Sequence, residues 1–472
     1  MSQKIIETEV VVLGSGPGGY TAAFRSADLG KKTVLIERYS SIGGVCLNVG
    51  CIPSKALLHT AQVINEAKAF EKHGVTFKGI EINIEKIREF KDSIVNRLTK
   101  GLSGLANQRK VEIVTGYGKF ISPNEISVES ESGNTVVKFL HAIIAAGSSV
   151  VKIPSIPQIP GVIDSTGALE LNDIPEKMLI VGGGIIGLEM ATVYQALGSN
   201  ITVVELTDGL IPGCDRDLVK PLHKMLESKL EAILLSTKVA KVEAKQGKLE
   251  ATFESDGNSR TKIFDKVLVA VGRRPNGHLI DADKAGVQVQ QNGFISVDKQ
   301  MRTNVSHIFA IGDIVGNPML AHKATHEGKV AAEVIASHKV QFDALAIPSV
   351  AYTDPEVAWM GLTETQAQKE NLEYEKATFP WIASGRSLGL GRSEGLTKIL
   401  YDKTTNKLLG AGIVGPNAGE LIAEAVLALE MGANIEDISL TIHPHPTLSE
   451  TFCFASEIGM NNITDLYMPK KK

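Results

Sequence analysis

The chain has 472 residues, 43% of them hydrophobic and 22% charged, with 45 glycines and a formal net charge of −4. That length exceeds one ordinary core, so roughly two to four domains are expected, and the composition reads as an α/β protein rich in tight turns. The slight acidity argues against nucleic acid as a partner, no stretch is apolar enough for a membrane-spanning helix, and a first strand expected near Thr8 leaves no room for a targeting peptide, so the cytoplasm is the expected location.

In chain order, residues 8–13 predict a strand that runs directly into Gly14-Ser15-Gly16-Pro17-Gly18-Gly19. A helical pattern follows over 20–25, then a strand over 33–36 that ends at Glu37. This is a full βαβ dinucleotide fingerprint rather than a lone glycine-rich turn. Gly14 makes the turn, Gly16 lets a pyrophosphate approach the helix N-terminus, and Gly19 permits close helix–strand packing. Glu37 stands where a ribose diol would be bound.

The next stretch is Gly43-Gly44-Val45-Cys46-Leu47-Asn48-Val49-Gly50-Cys51-Ile52-Pro53-Ser54-Lys55. Gly50 allows the turn that brings Cys46 and Cys51 together, and Pro53 suits the first turn of a helix. Cys51 is then expected at a helix N-terminus, where the macrodipole favours a thiolate. A redox-active pair is the favoured reading. A structural disulfide would need an oxidising compartment, zinc would need ligands beyond the nearby His59, and inert buried thiols fit the surrounding glycines less well. Residues 65–109 carry helical spacing with many charges and predict a pair of exposed helices.

A β-rich patch follows, with strands at 111–114 and 116–120, a hairpin around Glu131-Ser132-Gly133-Asn134, and a buried strand over 141–147. Then the fingerprint repeats. Residues 177–181 predict a strand, Gly182-Gly183-Gly184-Ile185-Ile186-Gly187 the turn, Leu188 onward a helix, and 201–204 a strand that ends at Glu205. Two complete units imply two nucleotide cofactors. The Glu205 carboxylate suits a free 2′-hydroxyl and would repel a 2′-phosphate, so the second site is expected to prefer NAD over NADP. A strand over 266–271 runs into Gly272-Arg273-Arg274-Pro275-Asn276, and residues 308–313 form an apolar strand ending at Asp313. That aspartate could accept from a sugar-alcohol chain or merely cap the long helix expected over 320–338.

From Val350 the character changes, with strands at 350–353, 397–401 and 408–414 and helices at 420–431 and 435–440. This terminal unit has no nucleotide fingerprint. Its chemically loaded stretch is His443-Pro444-His445-Pro446-Thr447-Leu448-Ser449-Glu450. Thr447 to Glu450 fits a capping box, in which Glu450 only returns to the Thr447 backbone. The alternative is a pair in which Glu450 orients His445 as a general acid/base. Thiol chemistry needs a proton acceptor, and no other histidine reads as so constrained.

With these motifs in hand, the chain resembles the dihydrolipoamide dehydrogenases of the flavoprotein disulfide reductase family, over essentially its whole length. The resemblance implies an α/β fold with two Rossmann-like dinucleotide-binding domains and a C-terminal α+β dimerisation domain. The implied segments are 1–148 for FAD, 149–275 for NAD, 276–346 returning to the FAD domain, and 347–472 for dimerisation. FAD would be held non-covalently, one per subunit, by Gly14, Gly16, Gly19, Glu37, Lys55, Gly118, Gly147, Asp313 and Ala321. NAD would be held by Gly182, Gly184, Gly187, Glu189, Glu205 and Gly272, with Glu189 also paired to Lys55. No metal is implied.

In that resemblance a homodimer carries His445 and Glu450 into the partner's active site. Dihydrolipoamide attacks a Cys46–Cys51 disulfide, Cys46 forms the mixed disulfide, and Cys51 is left as the thiolate beside the flavin, from which electrons pass to NAD. The implied partner is the lipoylated acyltransferase of a 2-oxo-acid dehydrogenase complex or the lipoylated glycine-cleavage carrier. Glu205 argues against an NADPH-dependent relative, Cys453 alone against the C-terminal cysteine pair of mercuric reductases, and Cys46 with Cys51 against the soluble transhydrogenases. Residues 299–304 depart from the family pattern without touching its chemistry. A non-catalytic structural flavoprotein would not need Cys46, Cys51 and His445 together.

Overall fold

The structure, a computed structural model, describes residues 4–131 and 133–468; Ser132 of the expected hairpin and the basic Lys470 to Lys472 lie outside them. β1 (Lys4–Leu13), α1 (Pro17–Asp28) and β2 (Thr33–Glu37) make the first βαβ unit, with β1 and β2 parallel. Val10, Val11 and Val12 are wholly buried, because a parallel sheet is covered on both faces. α2 (Gly44–Val49) and α3 (Cys51–Ala69) follow, then α4 (Ile84–Gln108). α3 starts at Cys51, where Pro53 predicts a helix, and runs on to Ala69, so the pair expected over 65–109 reduces to the end of α3 and α4. The inner face of α3 buries Leu57, Leu58, Ala61 and Ile64. Only α4 is largely exposed.

β3 (Glu112–Thr115), β4 (Tyr117–Ser122), β5 (Glu125–Ser130) and β6 (Gly133–Ile144) complete a sheet of order β3-β2-β1-β6-β5-β4. β1 begins at Lys4 rather than near Thr8 because Lys4 to Thr8 pair in parallel with Thr135 to Phe139 of β6.

β7 (Ser148–Val150) carries the chain into a second parallel sheet. Its elements are β8 (Val162–Ile163), α5 (Ser165–Glu170), β9 (Lys177–Val181), α6 (Ile185–Leu197), β10 (Asn200–Val204), α7 (Arg216–Lys229) and β11 (Ala232–Leu234). An antiparallel meander, β12 (Lys238–Lys245), β13 (Lys248–Ser255) and β14 (Asn258–Phe264), precedes β15 (Lys266–Val269), which closes the order β11-β10-β9-β15-β8. β16 (Arg273–Pro275) leaves antiparallel to β7, so the way in and the way out lie side by side. β17 (Ile308–Ala310) then returns to the first sheet beside β6, and α8 (Ala321–Ile335) packs on α1.

The terminal unit is an antiparallel sheet of order β18-β19-β22-β21-β20. It is built from β18 (Ser349–Ala351), β19 (Glu356–Gly361), α9 (Glu364–Glu370), β20 (Glu375–Pro380), α10 (Gly385–Gly389), β21 (Leu396–Tyr401) and β22 (Leu408–Gly415). α11 (Ala418–Glu430), α12 (Ile435–Leu440) and α13 (Glu450–Met460) follow, and Phe379, Trp381, Ile413, Ile422 and Phe452 share the core beneath them. The sheet also packs on α7: a Cβ on Gly412 would stand 2.2 Å from Leu218. Alongside, the buried Lys398 ammonium lies 2.7 Å from Asp215, 2.7 Å from Asp217 and 2.9 Å from Glu364, tying β21 to the start of α7. Among the described residues no helix is long and apolar enough to cross a membrane.

Candidate active site

The two glycine turns are built alike. Gly14 and Gly182 have φ of +104° and +112°, and a Cβ on either would stand 2.3 or 2.4 Å from a backbone carbonyl, so only glycine fits. A Cβ on Gly19 or Gly187 would likewise strike the carbonyl of Gly14 or Gly182. Gly16 and Gly184 are the opposite case: they are the N-caps of α1 and α6, and nothing lies within 4 Å of where a Cβ would be. A phosphate could approach there to meet the unpaired N–H groups of the first helical turn. At the ends of β2 and β10 stand the buried acids Glu37 and Glu205, 5% and 8% exposed. Both turns therefore fit a dinucleotide.

One cavity of about 1800 Å³ runs past both turns. Every residue expected at the flavin site lines it, as do Gly182, Gly184, Glu189, Glu205 and Gly272. Gly187 stands behind the wall, packing α6 against its turn. Cys46 and Cys51 open onto the same space. Cys46 lies in the short α2, and Cys51 is the first residue of α3, the helix N-terminus expected for it. Gly50 joins the helices where a Cβ would come within 2.8 Å of the Val45 carbonyl, which lets Cys46 and Cys51 meet. One turn further along α3, Lys55 Nζ lies 2.9 and 3.0 Å from the two carboxylate oxygens of Glu189 on α6 and sits over the Tyr352 ring. The Tyr352 amide also donates to Glu189, so α3, α6 and the residue after β18 together build this corner.

His445 and Glu450 are paired, Nδ1 to Oε1, at 2.8 Å. Glu450 Oε2 also accepts from the Thr447 amide at 2.7 Å, so half of the capping box and the His–Glu pair exist together. The other half is missing, since the Thr447 hydroxyl bonds to Pro444 O and Ser449 instead. This pair lies outside the cavity of its own chain, and the His445 side chain is 78% exposed. A second histidine is as constrained, against expectation: His443 meets Glu424 at 2.6 Å and Thr441 O at 2.8 Å.

Residues 8–328 match the model described as pyridine nucleotide-disulphide oxidoreductase, and residues 347–455 match its dimerisation domain. The chain belongs to the pyridine nucleotide-disulphide oxidoreductase family. It is 57% identical to a dihydrolipoyl dehydrogenase of Vibrio parahaemolyticus, over 99% of this chain and 98% of the relative. With that of Geobacillus stearothermophilus it shares 42% identity over 96% and 97%. Among solved structures it is similar to the HOCl-induced flavoprotein disulfide reductase RclA from Escherichia coli, at 26% identity and a TM-score of 0.85, covering 95% of this chain and 99% of that one. LpdA from Mycobacterium tuberculosis, 22% identical with a TM-score of 0.88 over 96% and 100% of the two chains, shares the fold.

This oxidoreductase uses FAD and NAD, and its C-terminal dimerisation domain supports a homodimer. Within the cysteine pair the two sulfurs are unequal. Cys51 is lowered to about 7, first by the hydrogen bond from Cys46 and then by the Lys55 ammonium, against the opposing effect of burial. Cys46 is raised well above the ordinary thiol range, because its thiol keeps its proton and donates it in a hydrogen bond to Cys51, and because it is itself buried. The Lys55 ammonium and the N-terminus of α3 both favour Cys51 over Cys46 as the thiolate of the reduced pair.

Other residues of the site carry no motif. Ser148 donates to Asp313 at 2.5 Å and accepts from Arg273 Nε at 2.7 Å, which links β16 to the cavity wall. Under Asp313, buried Glu327 accepts from the Gly312 amide at 2.7 Å and pairs with buried Lys323. Only the Gly272-Arg273-Arg274-Pro275 turn could have drawn attention to this network from sequence.

Proposed function

We propose that the protein is a dihydrolipoamide dehydrogenase, oxidising protein-bound dihydrolipoamide to lipoamide and reducing NAD to NADH. The observation that carries this reading is the Cys46–Cys51 pair on the wall of one cavity shared by both glycine turns, in a chain 57% identical to a dihydrolipoyl dehydrogenase. The segments follow the resemblance: 1–148 and 276–346 for FAD, 149–275 for NAD, and 347–472 for the dimer contact. In this reading Gly14, Gly16, Gly19, Glu37, Lys55, Gly118, Gly147, Asp313 and Ala321 hold FAD. Gly182, Gly184, Glu189, Glu205 and Gly272 hold NAD, with Gly187 in support.

In the oxidised enzyme a substrate thiolate attacks Cys46 Sγ, the Cys46–Cys51 bond breaks, and Cys51 leaves as the thiolate that its lowered pKa favours. The second substrate thiol then attacks the mixed disulfide, cyclic lipoamide leaves, and Cys46 recovers its proton. His445 of the partner subunit takes the substrate proton, with Glu450 fixing its ring and stabilising the imidazolium. FAD, when bound, supplies the route by which the electron pair held by the cysteines reaches NAD. The substrate arrives on a lipoylated acyltransferase of a 2-oxo-acid dehydrogenase complex or on the lipoylated glycine-cleavage carrier, in the cytoplasm.

Mixed dimers test this reading. Cys46→Ser and His445→Gln each remove one half of the site, so both homodimers are expected to be inactive. If the partner completes the site, dimers reassembled from the two variants regain activity. A mixture that stays inactive, while both variants retain FAD and dimerise, overturns the shared site.

A further inference from the structure

The acids that end the two fingerprints are held by matching hydrogen bonds with one part exchanged. Glu37 Oε2 accepts from the Ser15 amide at 3.1 Å and the Ser15 hydroxyl at 2.5 Å, while Oε1 accepts from the Tyr39 amide at 3.0 Å. Glu205 Oε2 accepts from the Gly183 amide at 2.7 Å, while Oε1 accepts from the Thr207 amide and the Thr207 hydroxyl, both at 2.8 Å. In the first unit the hydroxyl comes from the glycine turn; in the second it comes from beyond the acid. The exchange has a steric cause. A Cβ on Gly183 would lie 2.7 Å from Leu210 and 3.0 Å from Glu205 itself, so a serine there would have to push both side chains aside, the acid included.

We infer that Thr207 is a positioning residue for nucleotide selection, acting through Glu205; this rests on the reading of Glu205 as the NAD ribose acceptor. A carboxylate offers about four acceptor positions. Three of them are filled here, two on Oε1, so the hydroxyl decides which oxygen stays open to a ligand. That oxygen is Oε2, beside the Gly183 amide at the glycine turn. Thr207 lines the cavity with Glu205, and its hydroxyl bond to a charged acceptor is of the stronger kind. Its other neighbour, the Gly209 carbonyl at 3.0 Å, is a neutral acceptor and competes less well. Lys238 lines the same stretch of wall, next to Thr237, whose amide donates to the Glu205 carbonyl. A misdirected Glu205 would therefore leave a cation facing the nucleotide.

The test uses the FAD-loaded dimer. Thr207→Val keeps the shape and the amide bond but removes the hydroxyl; Thr207→Ser restores it. The expected result for Thr207→Val is a Kd for NAD, by calorimetry on the oxidised enzyme, raised roughly fivefold. KM for NAD should rise with it, with a smaller effect on kcat, and discrimination against NADP should fall. Thr207→Ser should return all of these toward the parent. A Thr207→Val protein that binds and discriminates NAD as the parent does, or a Thr207→Ser protein that is no better than Thr207→Val, overturns the inference. Glu205→Gln separates the two layers. If it weakens NAD while Thr207→Val does not, the positioning role is wrong; if it also leaves NAD binding intact, the ribose reading itself has failed.

Discussion

Lys55 on α3 and Glu189 on α6 meet at 2.9 Å across the boundary between the first and second sheets, with Glu189 nearly buried and Lys55 one helical turn from Cys51. The two charges act on Cys51 in opposite directions: the Lys55 ammonium lowers its pKa and the Glu189 carboxylate raises it. Lys55→Met is therefore expected to move the Cys51 thiolate midpoint above about 7, and Glu189→Gln to move it below. The rate at which iodoacetamide alkylates the reduced enzyme, followed against pH, reads that midpoint. Shifts of the same sign in both variants would show that the pair acts by holding the fold rather than by its field.

Cys46→Ser is expected to abolish lipoamide turnover while leaving FAD bound. Serine keeps a hydroxyl next to Cys51 but cannot form the mixed disulfide. The cavity wall around Gly14, Gly16 and Asp313 does not depend on the Cys46 sulfur. Turnover and the visible flavin spectrum of the purified variant check this together. A colourless protein would instead make the stretch from Gly43 to Lys55 a structural support of the flavin site.

What was legible in the sequence is what is encoded locally. Gly14 to Glu37 and Gly182 to Glu205 are each one supersecondary unit, whose glycines meet steric demands set within a few residues. The same holds for Gly50 between Cys46 and Cys51. The start of α3 at Cys51 was legible from Pro53, but its run to Ala69 was not, because its apolar face reads as helical only once α6 is present to cover it. The Glu205–Thr207 bond depends on a rotamer, and the Ser148–Arg273 link joins strands that leave and re-enter the first sheet far apart in the chain. The pairing of His443 with Glu424 comes from the packing of the terminal unit, which no spacing rule reports.

Lys398 illustrates the long-range kind. Burial alone would raise the carboxyls of Asp215 and Glu364, but hydrogen bonds, above all from Lys398, hold both below the ordinary carboxylate range. Groups depressed in this way contribute stability that is present above the unfolded pKa and lost as pH falls through the folded one. Lys398→Met leaves the buried Asp215 without a cation, beside Asp217 and Glu364 that keep only the more exposed Lys376, and is expected to cost about 3 kcal/mol near neutral pH. The deficit should shrink as pH falls and the carboxyls take up protons. Urea unfolding of parent and variant across pH checks the sign. Adding Asp215→Asn should recover part of the loss, because it removes the charge that Lys398→Met leaves without a cation.

Glu205→Arg is expected to weaken NAD and improve the use of NADP. The carboxylate now at the end of β10 accepts from Gly183 and Thr207, and a 2′-phosphate brought to it would meet like charge. Arginine removes that repulsion and adds a second cation beside Lys238 on the same wall. It also leaves the Gly183 amide without its acceptor, so NAD binding should suffer even where the sterics are accommodated. Comparing kcat/KM for the two nucleotides isolates selection from any general loss of activity, because general damage lowers both. An unchanged ratio would remove Glu205 from the ribose site and leave it as a buried brace for the glycine turn.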